Sequence, residues 1–404
     1  MLKAYKYRLY PNKAQVVLLN KHFGACRWLY NYGLAKKMQT YTETKTMISR
    51  FDLQAELPQL KRGDYTWLSE INSLSLQAVL RNLDTAYKNF FRDKKGFPKF
   101  KSKKSNRQSF CVVQNTKVNF EAGKISIPKF TDIKAVLHRQ FDGQIKSSTI
   151  SRTPSGKYYI SILVETNQVI PPKQELSEKQ AIAFDLGIKS FLVASNGDVI
   201  DNPKFLRKSL YKLKKIQRWH SRKVKGSKNR AKHRIRLAVI HEKVTNQRTN
   251  WLHQLTSKYI KSTYNTFCIE DLAVKNMVKN HKLALSISDA GWSTFVNQLT
   301  YKSDWFGKNI LTIGRFEPSS KICSKCGHIN QDMTLKDRLF ICPNCKFEID
   351  RDYQASLNIL SFAFAKQNLV NDKLVTIGKE LSKYHTPVET SSLDVSMKQE
   401  ALAL

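Results

Sequence analysis

Apolar residues in this chain recur with two different periods, and the places where the period changes divide it. The opening Lys3-Ala4-Tyr5-Lys6-Tyr7-Arg8-Leu9-Tyr10 sets strand-forming aromatics among cations and stops at Pro11-Asn12, which predicts one strand and a turn. From Ala14 the spacing changes to threes and fours through Val16, Leu19, Phe23, Cys26 and Tyr30, and again through Leu76, Leu80, Leu83, Tyr87 and Phe90, predicting a helical unit over 14–92. Gly96 and Pro98 then break a run in which Phe97 and Phe100 stand among lysines, so Lys99 and Lys101 are candidate phosphate contacts of a linker. Short β-rich runs follow at 109–113, 124–127, 133–138, 145–151 and 158–165, a spacing that suggests a small barrel. The isolated opening strand needs partners, and pairing into that barrel would make the helical unit an insertion in it.

Pro171-Pro172 marks a linker. From Gln180 an apolar strand, a turn at Asn196-Gly197-Asp198 and helical patterns announce α/β organisation. Between Asp201 and Glu242 no acidic residue occurs, while Leu206, Leu210, Leu213, Leu237, Ile240 and Val244 keep helical spacing on either side of Lys225-Gly226-Ser227. Solvated helix faces normally mix charge signs, so two long helices without acid point to contact with phosphates. From about Val370 to Leu404 no period is sustained, and a loosely ordered tail is expected.

Charge narrows the function. The 404 residues suffice for two or three domains, and 69 Lys and Arg against 32 Asp and Glu give a formal +37, a surface that calls for a polyanion. An anionic membrane is the competing partner. No apolar run approaches the roughly 18 residues of a spanning helix, and the first residues lack a signal-peptide core. The expectation is a nucleic-acid binder of the prokaryotic cytoplasm.

Of the seven cysteines, Cys26, Cys111 and Cys268 lie in apolar surroundings, whereas Cys323-x2-Cys326 and Cys342-x2-Cys345 form two pairs fifteen residues apart. Two thiolate pairs on tight turns suit one tetrahedral Zn²⁺, and a site with four protein ligands is structural because no position is left for substrate. His328 then has no place in the shell.

Three acids carry the candidate chemistry. Asp185 ends an apolar strand, Glu270 ends the strand Thr266-Phe267-Cys268-Ile269, and Asp352 lies in the first turn of a helix through Ala355, Leu357, Ile359 and Leu360. Alone, the first two read as a turn residue and a solvated strand end. Asp350 suits a helix cap, which leaves Asp352 for chemistry, and Arg351 could offset phosphorane charge or merely start the helix. Together the three suit a phosphodiesterase with two Mg²⁺ ions, Mn²⁺ being an alternative, about 4 Å apart.

The chain resembles the TnpB family, transposon-associated (OrfB type) and related to the type V CRISPR effectors. The resemblance rests on Arg8-Leu9-Tyr10-Pro11, Gly96-Phe97-Pro98-Lys99-Phe100-Lys101, Phe184-Asp185-Leu186-Gly187, Ile269-Glu270-Asp271-Leu272, Ser288-Asp289-Ala290-Gly291-Trp292, Pro318-Ser319-Ser320-Lys321 and Asp350-Arg351-Asp352, in the family's order. It implies a multidomain α+β protein: a wedge β-barrel (1–13 and 93–172) with an inserted helical recognition domain (14–92), then an RNase H-like (RuvC) α/β nuclease domain (173–317 and 350–369). A four-Cys zinc knuckle (318–349) is inserted in that domain, and the tail covers 370–404. It implies Asp185, Glu270 and Asp352 as an acidic triad, a guide RNA from the transposon end, a double-stranded DNA target and a monomeric protein in the RNA complex. The family usually carries Asn two residues after its last catalytic Asp, where this chain has Gln354. By position, Ser73, Gln77, Gln114 and Asn115 are candidates for reading a short motif beside the target, since amides can pair with adenine. An RNA-guided endonuclease is the leading expectation. A nuclease-dead RNA-guided repressor would lack a triad acid, and an RNase H-like transposase would act without RNA.

Overall fold

The first strand of the chain pairs only with strands that follow it by more than a hundred residues. In a computed structural model, which describes residues 1–105, 108–315, 317–334 and 337–382 and side chains through residue 367, the chain divides into two units. One comprises Met1–Pro171 with Phe205–Asn250, the other Pro172–Lys204 with Trp251–Leu404.

In the first unit, β1 (Leu2–Tyr10), β2 (Gln108–Val112), β3 (Lys117–Asn119), β4 (Lys124–Ser126), β5 (Ile133–Val136), β6 (Gln144–Arg152) and β7 (Tyr158–Glu165) form one antiparallel sheet in the order β2-β6-β7-β1-β5-β4-β3. β1 sits between β7 and β5, with Tyr7 opposite Ile160 and Leu9 opposite Ala135. Edge strands β2 and β3 are not paired with each other among the described residues, so the expected barrel is an open sheet. Strand β3 went unforeseen because three residues are too few to show alternation.

The helices α1 (Lys13–Thr44), α2 (Arg50–Ala55), α3 (Leu57–Arg62) and α4 (Ser73–Arg92) interrupt that sheet between β1 and β2. Asn12 and Gln15 close a capping box at the start of α1, and Gln15 also donates to Thr131 and Asp132 beside β5, which fixes the helix to the sheet. Gly33 lets α1 approach α4 closely: a Cβ there would lie 3.1 Å from Leu83 and 3.2 Å from Leu80. The start of α4 is set by Asn72, whose side chain accepts from Ser75 N, and whose own N–H donates to the buried His22 Nε2 at 3.3 Å.

The acid-free stretch forms α5 (Phe205–Ser221) and the start of α6 (Lys228–Ile260). The family resemblance assigned these helices to a nuclease domain at 173–317, but through Asn250 they belong to the first unit. The reason is local. Glu242, the first acid after Asp201, forms an ion pair at 3.0 Å with Lys157, the residue before β7, and accepts from Tyr159 OH of β7 at 3.4 Å, and Arg8 of β1 donates to that same hydroxyl.

In the second unit, β8 (Ala181–Leu186), β9 (Ser190–Ala194), β10 (Val199–Asp201), β11 (Thr266–Glu270) and β12 (Asn309–Ile313) form a mixed sheet in the order β10-β9-β8-β11-β12. β8, β11 and β12 run parallel, β9 returns antiparallel to β8, and β10, antiparallel to β9, again takes the direction of β8. After α7 (Val274–Met277) come α8 (Ala284–Ala290) and α9 (Trp292–Trp305), which with the end of α6 cover one face through Leu252, Tyr259, Ile287 and Phe295 packed on Ile182, Phe184, Phe267 and Ile269. On the other face Ile359 and Ala363 of α10 (Arg351–Ser382) meet Ala183, Cys268 and Ile313. Between β12 and α10 the hairpin β13 (Leu339–Ile341) and β14 (Glu348–Asp350) carries the second cysteine pair.

The expected loose tail is corrected over 370–382, where the backbone continues α10; Val370, Leu374, Ile377 and Leu381 keep a spacing of four, three and four. Residues 383–404 lie outside the described part. No helix among the described residues is long and apolar enough to cross a membrane.

Candidate active site

A strand's period of two decides where the acids go. Along β8, Ile182 and Phe184 enter the core under α9, so Ala183 and Asp185 take the opposite side, toward α10. Along β11, Phe267 and Ile269 do the same and leave Cys268 and Glu270 on the α10 side. The strands are parallel, with Cys268 opposite Ala183 and Ile269 opposite Phe184, so Asp185 and Glu270 end adjacent strands at their carboxyl edge, the usual ligand-binding edge of such sheets. Asp352 enters from the first turn of α10, which packs on both strands. Asp350 caps that helix, accepting from Asp352 N at 2.9 Å and Tyr353 N at 3.0 Å.

The three carboxyls feel one another. Burial, then the charges of Asp352 and Glu270, push the Asp185 carboxyl up to about 7, against the opposing pull of Arg351. Burial also raises Glu270, although Ser319 Oγ donates to its Oε1 at 3.4 Å. Asp352 is engaged by Arg351 at 2.9 Å and Arg338 at 3.5 Å. A buried acid raised by burial and by two neighbouring carboxylates belongs to a donor set that divalent cations suit, because an ion would offset the negative charge. The three do not form a closed shell, however. Among the described residues, the group whose ligand atoms all lie within 4.8 Å of one another is the cysteine cluster.

That cluster joins two turns of one design. Cys323 N donates to His328 O and Gly327 N to Cys323 O; likewise Cys342 N donates to Phe347 O and Lys346 N to Cys342 O, all at 2.9–3.0 Å. Each turn needs a left-handed residue after its second cysteine, Gly327 at φ 72° and Lys346 at φ 58°. The turns bring Cys323 Sγ to 3.7 Å from Cys345 Sγ and Cys326 Sγ to 3.5 Å from Cys342 Sγ. Edges of about 3.8 Å follow from metal–sulfur bonds of about 2.3 Å, so the cluster can hold a metal ion such as zinc. His328 contributes its backbone carbonyl to the turn.

Between cysteines and acids runs a clamp that the sequence did not reveal. Asn358 donates to Ser319 O at 2.6 Å and Ile322 O at 2.7 Å; Gln354 donates to Ile322 O at 2.6 Å and accepts from Ser324 Oγ at 2.9 Å. Both amides are buried on α10 at i, i+4 spacing, the one signal that could have marked them as a pair. Gln354 therefore binds the first cysteine turn rather than Asp352.

The candidate nucleic-acid contacts are dispersed. Ser73 and Gln77 are exposed on the first turns of α4, with Ser73 Oγ receiving Lys61 Nζ at 2.7 Å. Gln114 is exposed beside Asn115, whose φ of 61° makes it a turn residue between β2 and β3. Lys99 is exposed, and Lys101 lays its ammonium 3.9 Å from the Tyr30 ring centre and pairs its backbone with Asn31. Lys101 is exposed like Lys99, and its ammonium over the Tyr30 ring leaves it at the surface.

The comparisons agree with this architecture. A family model described as "Probable transposase" (OrfB of IS605) matches residues 161–281, one described as "Cas12f1-like, TNB domain" matches 292–359, and one described as "Helix-turn-helix domain" matches 1–46, which here form a strand and one continuous helix. A Streptomyces pristinaespiralis protein named as an RNA-guided DNA endonuclease is 34% identical over 90% of each chain. The similarly named InsQ of Escherichia coli (strain K12) is 31% identical over 95% of this chain and 98% of its own. The solved Cas12f1-sgRNA-target DNA complex contains a chain with the same mixed α/β fold, at TM-score 0.55 and 15% identity, covering 89% of this chain and 98% of that one. With two relatives above 30% identity along nearly the whole length, the chain belongs to the TnpB (OrfB) family.

Proposed function

We propose that this protein is an RNA-guided DNA endonuclease whose nuclease centre is Asp185, Glu270 and Asp352. The observation that carries the reading is the meeting of these acids at one edge of the second unit's sheet, where burial, and then the charges of Asp352 and Glu270, raise the Asp185 carboxyl to about 7. A mixed sheet with helices on both faces is what an RNase H-like nuclease domain requires. The first unit, an open sheet interrupted by helices, fits the wedge and recognition roles.

Asp185, Glu270 and Asp352 would hold two Mg²⁺ ions, which when bound supply charge neutralisation and water activation at the scissile phosphodiester. Ser319 orients Glu270, and Asp350 fixes the helix that delivers Asp352. Arg351 and Arg338 balance the Asp352 carboxylate. Zn²⁺ on the four cysteines would be structural. A net +37 suits the chain to a guide RNA from the transposon end and to the DNA opened by pairing with it. Ser73, Gln77 and Gln114 remain the candidates for motif reading.

Plasmid cleavage tests the proposal. The protein with its copurified RNA and Mg²⁺ should linearise DNA that matches the RNA, and Asp185→Ala should bind that DNA without cutting it. An intact complex that never cuts would overturn the reading. The name "Probable transposase" keeps a second reading in play, strand transfer without RNA. Activity that survives RNase treatment during purification would favour it.

A further inference from the structure

Asn20, Phe23, Gly24 and Arg27, three and four residues apart, share one face of α1, and that face forms a wall of a cavity of about 730 Å³. Lys103 and Lys104 at the end of the cationic linker, Arg152 to Pro154 at the end of β6, and Arg234 of α6 form the other walls. All of them belong to the first unit. Arg27, Lys103, Lys104, Arg152 and Arg234 thus line one space to which no Asp or Glu contributes. Among the described residues none of the five enters an ion pair. Arg152 is nevertheless held in place: its guanidinium donates to Asn20 Oδ1 at 3.2 Å and lies 5.7 Å from the Tyr158 ring centre. A guanidinium fixed without a carboxylate partner is set for an anion from outside the chain.

Gly24 points the same way. A glycine inside a helix weakens it, and at Gly33 the close packing of Leu80 and Leu83 explains the residue. At Gly24, among the described residues, a Cβ would meet no other part of the fold nearer than the Arg27 guanidinium at 4.0 Å. Bare backbone that no neighbour needs, in the wall of a cationic cavity, suits an anionic ligand that comes close. Five cations exceed what a single phosphate requires, so the ligand is a chain of them. A space of this volume is about 9 Å across, narrower than the major groove alone of a double helix, about 12 Å, so a single strand enters it and a duplex does not. Of the strands in the proposed complex, the RNA is the one held before any target arrives, and a lining already ordered suits that constant partner. We propose that this cavity seats a single-stranded stretch of the RNA, a few consecutive phosphates lying against Arg27, Arg152 and Arg234 with the backbone passing over Gly24. The inference deepens the RNA-guided reading and rests on it.

The test uses the full protein and the RNA identified by sequencing what copurifies with it. Ethylation of single phosphates along that RNA should block binding at a short run of positions. In Arg27→Gln/Arg152→Gln/Arg234→Gln that run should fall silent while the rest of the pattern stays. The salt dependence of binding should flatten by a slope of about 2, three contacts at about 0.7 each. Gly24→Ala should melt higher than the native chain, as a helix relieved of glycine does, yet bind the RNA several-fold more weakly. Gly24→Leu, which fills the cavity, should weaken binding further. An interference pattern that the triple variant leaves unchanged, or dims evenly at every position, overturns the proposal, as does native affinity in both Gly24 variants. If the phosphates released by the triple variant lie instead on a DNA strand of the complex assembled with Asp185→Ala, the seat is DNA's and the proposal falls. A native protein that shows the run on its RNA but never cuts matching DNA leaves the seat standing and removes the nuclease reading. One that carries no RNA at all overturns both.

Discussion

Ser319 donates its hydroxyl to Glu270 at 3.4 Å while its carbonyl accepts from Asn358 at 2.6 Å, so one residue joins the end of β11 to α10 and to the segment that begins the cysteine turns. Asn358→Ala should leave the Ser319 carbonyl without that donor, while Ile322 O keeps the bond from Gln354. An unpaired group of this kind costs about 1–3 kcal/mol, so thermal unfolding should show a loss. Cutting should fall by a larger factor than DNA binding, and equal loss of both would show that the clamp only stabilises the fold.

Asp185 has a folded-state pKa raised to about 7, above the ordinary 3.8 of an aspartate. A raised acid favours the protonated folded state at low pH and loses that advantage as pH climbs toward 7. Metal binding must displace the proton. The Mg²⁺ concentration giving half-maximal cleavage should therefore rise as pH falls below about 7, and a titration series at pH 6 to 8 measures it.

His22 behaves in the opposite sense. Burial lowers its pKa below the usual 6.5, helped by the charge of Lys129 and opposed by the bond to Leu18 O, and its Nε2 accepts from Asn72. A depressed histidine contributes stability at higher pH that disappears as pH falls through 6.5 and below. Stability of the intact protein should drop over that range, and His22→Gln should flatten the slope in denaturant melts.

The ion pair of Glu242 with Lys157 anchors α6 to β7 within the first unit. Lys157 is half-exposed, so screening limits the pair to about 1 kcal/mol. Glu242→Gln should barely move the melting temperature yet speed amide hydrogen exchange along residues 228–250. Unchanged exchange there would mean that Ile240 and Val244 hold the helix by packing alone.

Lys346 takes the left-handed conformation that Gly327 takes in the other cysteine turn. A non-glycine residue there costs roughly 1–2 kcal/mol. Lys346→Gly should tighten metal retention modestly, read as slower loss of bound metal to a chelator.

Much of this arrangement could be read before any coordinates. Asp185 and Glu270 each end an apolar run that predicts a strand, and Cys323, Cys326, Cys342 and Cys345 are marked by spacing alone. What stayed hidden depends on partners distant in sequence. Nothing near Glu242 signals Lys157, nothing near Asn358 signals Ser319, and the basic helices gave no hint that they pack with the opening sheet. Lys101 adds a contact of the same kind: nothing in its cationic run signals that Tyr30 lies beneath its ammonium.

Placing β1 in the middle of its sheet also sets an order of events on the ribosome. Its nine residues are made well before their partners, since the strands that flank it are complete only once residue 165 has been made. At typical elongation rates of about 5–20 residues per second, that is a delay on the order of ten seconds. Throughout it the α1–α4 helices can form from local contacts while the opening strand waits with its edges bare. A chaperone that shields nascent chains should therefore matter most while the residues up to Glu165 are being made.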